Sequence, residues 1–378
     1  MWDYRYLLRI DFRMIPIIIA LLFMSLLVVS SFSVENTLEG LDDSFFTPVI
    51  KQQLRGFGLA LAVFILFAGL DYNKLREWTW FLYIVFIILL IGLFFTDSVQ
   101  RVHRWYRLPF LNMSFQPSEY AKLVVVIALS WFLERRGSKA TTWSTAFFAS
   151  LIAGIPFILI LKQPDLGTAL ILFPITLVMF YFGGIRPSVI KAMSWVGASS
   201  LVFVAVIFLG IVSHEEIRPY ATLFLKDYQF ERLNPHTHHQ EAAATAIALG
   251  GLTGNGWRTS EFTGGGWLPT PYTDSVFPAF GEIFGFFGLL LLLLLFYTLI
   301  YLGFQVTAVA SNQFGRLLSA GISAYLAMHV LVNIGMMSGF LPITGVPLVL
   351  LTYGGSSLVS TMTALGILQS IYSRRYIF

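Results

Sequence analysis

A chain of 378 residues with 57% hydrophobic and 12% charged side chains, a mean hydropathy of +0.76 and a formal charge of +4 lacks the polar surface to solvate a globule. Soluble domains carry roughly a quarter charged residues, so the composition specifies an integral membrane protein rather than several soluble domains. No block of basic residues points to nucleic acid, and the lack of cysteine removes disulfides, a thiolate nucleophile and Cys-ligated zinc.

The chain opens with Arg5, Arg9 and Arg13, followed by an uncharged apolar run over 14–32. That run is longer than the apolar core of a signal peptide, about 7–15 residues, and reads as a retained first span. A hydrocarbon core of about 30 Å takes about 20 helical residues. Runs poor in charge predict ten spans, at 14–32, 54–70, 78–95, 119–133, 143–161, 168–184, 193–212, 275–302, 317–337 and 348–372. The expected fold is an all-α integral membrane protein, one polytopic domain over 1–378 with one long outer loop at about 213–274. With the N-terminus inside, the short inner segments hold 13 Lys and Arg residues and the short outer ones 6. The positive-inside rule then predicts both termini on the cytoplasmic side.

An ionisable side chain within a span is costly and marks a candidate site. Glu119 and Lys122 head the fourth span, spaced i,i+3 on one helix face. Two readings stay open: a self-neutralising structural pair, or a cation held in a cavity for an anionic head group. Asp165, in QPDLGT at 163–168, reads as a helix cap. Asp274 stands at the outer mouth of the eighth span, after Pro269-Thr270-Pro271-Tyr272-Thr273. Partial desolvation there would make it a better base, although a helix cap is equally consistent. Glu282, within FGEIFG, has no local counter-charge and requires a partner from another helix or a watery cavity.

The long loop carries four of the six histidines, His214, His236, His238 and His239. Their spacing suits no closed tetrahedral zinc site, and they read as solvated loop residues. The apolar stretch 242–249 predicts a short re-entrant or interfacial helix. Phosphate-loop, HExxH and GxSxG motifs are absent.

The stretch from Asn333 to Leu348, NIGMMSGFLPITGVPL, followed by Thr352-Tyr353-Gly354-Gly355-Ser356, resembles the C-terminal signature of the SEDS family, which comprises the RodA, FtsW and SpoVE proteins. Gln116-Pro117-Ser118-Glu119 with Lys122 resembles its QPSExxK motif and 163–168 its QPDLGT motif. Arg104-Trp105 is similar to its RW pair, and Tyr228-Gln229 with Arg232 to its YQxxR. The matches run in order along nearly the whole chain, and the last motif resembles the RodA branch more than FtsW. Two positions depart from the pattern: Ala242-Ala243 stand where a QS pair is common, and Ser114 stands where a basic residue is frequent.

The resemblance implies a peptidoglycan glycosyltransferase of cell elongation that polymerises lipid II in the bacterial cytoplasmic (inner) membrane beside a class B penicillin-binding protein. It places the essential acid on Asp274 and a supporting one on Glu282, with Asp165 and Gln116 supporting. Inverting transfer with Asp274 as general base follows the logic of inverting glycosidases. Lys122, Glu119, Arg104, Arg101 and Arg232 are then candidates around the diphosphate, and a divalent cation (Mg or Mn) is an alternative source of charge there. A lipid II flippase and a non-catalytic scaffold for the penicillin-binding protein are the competing classes, because buried charges among many spans also suit a transporter.

Overall fold

The computed structural model describes residues 2–32, 46–96, 104–108, 113–222, 230–235 and 237–376. Ten long helices match the ten apolar runs in order. They are α1 (Met14–Phe32), α2 (Pro48–Gly69), α3 (Lys74–Gly92), α4 (Pro117–Arg136), α5 (Trp143–Lys162), α6 (Leu166–Phe182) and α7 (Pro187–Phe208), then α11 (Val276–Val309), α12 (Gln313–Met337) and α13 (Gly355–Ser373). The outer segment adds α8 (His214–Ala221), α9 (His238–Gly250) and the four-residue α10 (Glu261–Gly264). Seven helices are long and apolar enough to cross a membrane by length and composition. This is a multi-pass membrane protein. The helix starts follow local chemistry: Thr47, Thr142, Asp165 and Asn312 each cap a helix with a side-chain oxygen, and Pro48 and Pro117 sit in first turns.

The centre of the bundle is α4 and α12, buried along most of their length. By contrast α7 buries only Ile207 among its residues, leaving its apolar side chains to face lipid. At one end of the bundle, Gln369 bonds the backbone of Asp11 through both its amide oxygen and nitrogen. Arg374 donates to the Gly69 carbonyl and lies over the Tyr6 ring, while Asn312 donates to Tyr72 and Asn73. The two described termini and the α2–α3 and α11–α12 turns therefore meet at the arginine-rich end. At the other end a two-stranded hairpin, β1 (Tyr106–Leu108) and β2 (Met113–Phe115), pairs Tyr106 with Phe115 and leads into α4.

Two expected boundaries move. The final helix begins at Gly355 rather than 348, because 338–354 folds as irregular chain whose carbonyls bond side chains of α12: Val346 accepts from Asn333, and Pro347 pairs with His329. The eighth span extends to Val309 and is broken at Gly285, with φ 65° and ψ −165°.

That break is filled by the outer chain. Asn255 and Gly256 N–H groups donate to the Glu282 and Ile283 carbonyls, and Phe286 and Phe287 donate back to Gly251 and Leu252. Backbone polar groups freed inside a membrane protein must find such partners. A Cβ at Gly254 would strike the Ile283 carbonyl, and one at Gly285 the Gly254 nitrogen. Gly254→Ala is therefore expected to cost roughly 2–5 kcal/mol, since strain and overpacking add. Gly58→Ala, in open space within α2, is expected to be neutral or slightly stabilising. Thermal unfolding in detergent checks both.

Candidate functional site

The turn before α11 is fixed by its neighbours. Tyr272 donates to the Phe32 carbonyl at the end of α1, and its own carbonyl accepts from Tyr353 N–H at 2.7 Å. Thr352 donates to the Thr273 carbonyl, and Asn333 Nδ2 bridges the Asp274 carbonyl at 3.0 Å and the Val346 carbonyl at 2.7 Å. Asp274 is thus clamped by the C-terminal signature segment. Gly345, with φ 75°, leaves room for it: a Cβ there would stand 3.3 Å from Asp274 Oδ2.

Asp274 opens into a cavity of about 1150 Å³ lined also by Arg104, Gln116, Glu119, Asp165, Arg232, His239 and His329. Burial pushes its carboxyl above the ordinary Asp range; Arg104 and Arg232 pull it partly back, and Asp165 opposes them. Arg104 is held by the Gln163 and Pro164 carbonyls of the QPD turn.

Asp165 and Gln116 form a scaffold under this wall. Asp165 accepts from Thr168 N–H and hydroxyl, Ser118 and Gln116. It caps α6 and ties it to the start of α4. Gln116 also accepts from the Trp105 indole and takes Ser356 Oγ on its backbone N–H.

At the floor, Lys122 Nζ lies 2.8 Å from Glu119 Oε1 and 2.7 Å from His329 Nε2, with the Tyr325 ring 5.3 Å away. Lys122 is fully buried and does not line the cavity; Glu119 and His329 do. Glu119 Oε2 is buried without a hydrogen-bond partner among the described residues. His329 was missed in the sequence, although a histidine inside an apolar span satisfies the same rule that selects Glu119.

Glu282 stands apart from Asp274, beside a separate hollow of about 580 Å³. Its carboxylate accepts the Phe262 and Thr263 N–H groups at 3.1 and 3.0 Å and the Thr263 hydroxyl, capping α10 from another helix. Arg101 lies outside the described residues, as does His236. Of the other loop histidines, His214 stacks on Phe230 and His239 lines the cavity. Among the described residues, no group of three or more His, Asp or Glu side chains is placed to hold a metal ion.

Comparison with known proteins gives a consistent answer. The FtsW/RodA/SpoVE family, described as cell cycle protein, matches residues 12–377. The peptidoglycan glycosyltransferase MrdB of Escherichia coli K12 is 32% identical over 386 aligned positions, covering 99% of this chain and 95% of that one. The stage V sporulation protein E of Bacillus subtilis 168 is 31% identical, covering 96% and 98%. A chain solved in a study of polymerization and crosslinking by a peptidoglycan synthase complex superposes with TM-score 0.76 at 25% identity, covering 98% of this chain and 99% of that one. The rod shape determining protein RodA of Thermus thermophilus superposes with TM-score 0.69 at 23% identity over 98% of both. From the first span to the last, this chain belongs to the FtsW/RodA/SpoVE family.

Proposed function

We propose that this peptidoglycan glycosyltransferase of cell-shape maintenance polymerises lipid II by inverting transfer, with Asp274 as general base. The observation that carries the reading is a carboxyl raised by burial, on the wall of a large cavity that Arg104 and Arg232 also line. In the reaction, Asp274 takes the proton of the acceptor sugar 4-hydroxyl. The freed oxygen attacks the donor anomeric carbon from the face opposite the diphosphate, which departs as the β-1,4 bond forms. Arg104 and Arg232 offset the charge that develops on the leaving group. A diphosphate needs no carboxylic acid to leave, which agrees with Asp165 being engaged by four hydrogen-bond donors.

A divalent cation (Mg or Mn) beside the diphosphate remains part of the proposal, its further ligands being diphosphate oxygens, since among the described residues no group of three or more His, Asp or Glu side chains is placed to hold one alone. The arginine-rich end, holding both termini, would face the cytoplasm by the positive-inside rule. The cavity at the opposite end would then open outward, where lipid II presents its sugars in the bacterial cytoplasmic membrane. A class B penicillin-binding protein is the proposed partner, in keeping with the synthase complex that contains the similar chain.

The test is purified protein, with and without that partner, incubated with labelled lipid II. Glycan ladders from the wild type are expected. Their absence under both conditions, with lipid II crossing the bilayer or merely tethered, would overturn the reading in favour of a flippase or scaffold.

A further inference from the structure

His239 does not behave as a solvated loop residue. It is second in α9, half-buried on the cavity wall, with Nε2 2.6 Å from Ser275 Oγ. Ser275 directly follows Asp274 and is fully buried as the N-cap of α11, yet its hydroxyl does not cap that helix. Serine at this position ordinarily accepts an N–H of the first turn; here the hydroxyl is given to the imidazole instead. His239 Nδ1 has no partner among the described residues, while the ring lines the space shared by Asp274, Arg104 and Arg232.

We propose that His239 Nδ1–H donates a hydrogen bond to a diphosphate oxygen of the polyprenyl substrate, making His239 a specificity-determining residue of this cavity. The inference rests on the lipid-diphosphate substrate argued above. Three observations converge on it. Ser275 Oγ, which caps no helix N–H, is placed to donate to Nε2, and in that tautomer the ring proton sits on Nδ1. The segment that carries His239 also brings Arg232, beside Glu231, to the same wall, and a guanidinium is a group that pairs with phosphate oxygens. Burial and the adjacent His238 hold the ring below its ordinary pKa, so near neutral pH it is an uncharged donor. The other charged groups lining the cavity are Glu119, Asp165, Glu231 and Asp274 with Arg104.

Isosteric substitutions separate this role from a structural tether. The amide nitrogen of Asn occupies about the place of Nδ1, whereas that of Gln reaches the place of Nε2. The full-length protein is assayed for kcat and KM with lipid II, and for binding of undecaprenyl diphosphate. His239→Gln keeps the Ser275 contact and is expected to raise KM about tenfold, the worth of one lost hydrogen bond to a charged group, with kcat little changed. It should weaken undecaprenyl diphosphate binding by a similar factor. His239→Asn is expected to retain most of the affinity in both assays. The reverse order, Asn worse than Gln, would mean that the Ser275 tether is what matters and would overturn the proposal. So would unchanged undecaprenyl diphosphate binding in His239→Gln, which would move the contact to the sugars. If the wild type made no polymer, the polymerase reading would fail, while the diphosphate-binding comparison would still decide this contact.

Discussion

Asp274→Asn is expected to reduce glycan polymerisation by about a thousandfold, within the 10²–10⁴ range of a positioned general base. The amide preserves shape and leaves the Asn333 clamp intact, since Asn333 bonds the backbone carbonyl of residue 274 rather than its side chain. A loss of less than tenfold, in protein whose unfolding temperature matches the wild type, would refute the role. The pH profile supplies an independent reading. Burial raises this carboxyl, so the proton stays on at pH values where an ordinary aspartate has already lost it. A base must be ionised to work, so the rate is expected to fall as pH falls through that raised pKa and to level off above it. Arg104→Gln removes one stabilising cation beside Asp274 and should move the limb toward higher pH.

The second large effect belongs to the floor. Lys122→Ala leaves the buried Glu119 carboxylate without the ammonium that pairs with it. Removing one partner of a buried ion pair costs about 3–5 kcal/mol. His329 Nε2 would lose its bonded neighbour as well. The Glu119→Gln/Lys122→Met double variant carries no buried charge and is expected to recover most of the lost stability. Thermal unfolding of the three proteins in the same detergent measures this; a double variant no more stable than Lys122→Ala would show that charge desolvation is not the cause.

Much of this architecture was legible because lipid imposes a length and a polarity on every span. Ten apolar runs correspond to ten long helices, and the i,i+3 spacing of Glu119 and Lys122 is realised as a 2.8 Å pair. What escaped was contact between distant segments. Nothing near Glu282 announces that its partners are backbone N–H groups of a four-residue helix twenty positions earlier. His329 lies 207 residues from Lys122, and His239 lies 36 from Ser275. The irregular chain at 348–354 read as part of a span because it opens on four apolar residues, Leu348 to Leu351. Its Leu351 and Thr352 N–H groups turn back on the Leu348 carbonyl and its Tyr353 N–H reaches the Tyr272 carbonyl, pairings that composition alone does not reveal.

The stitching of Asp11 to Gln369 spans 358 positions. A ribosome feeding this chain into the bilayer releases α1 long before its counterpart on α13 exists. Until then the Asp11 amide awaits an acceptor that is still being translated. The arginine-rich end can therefore close only once the chain has been made through Arg374.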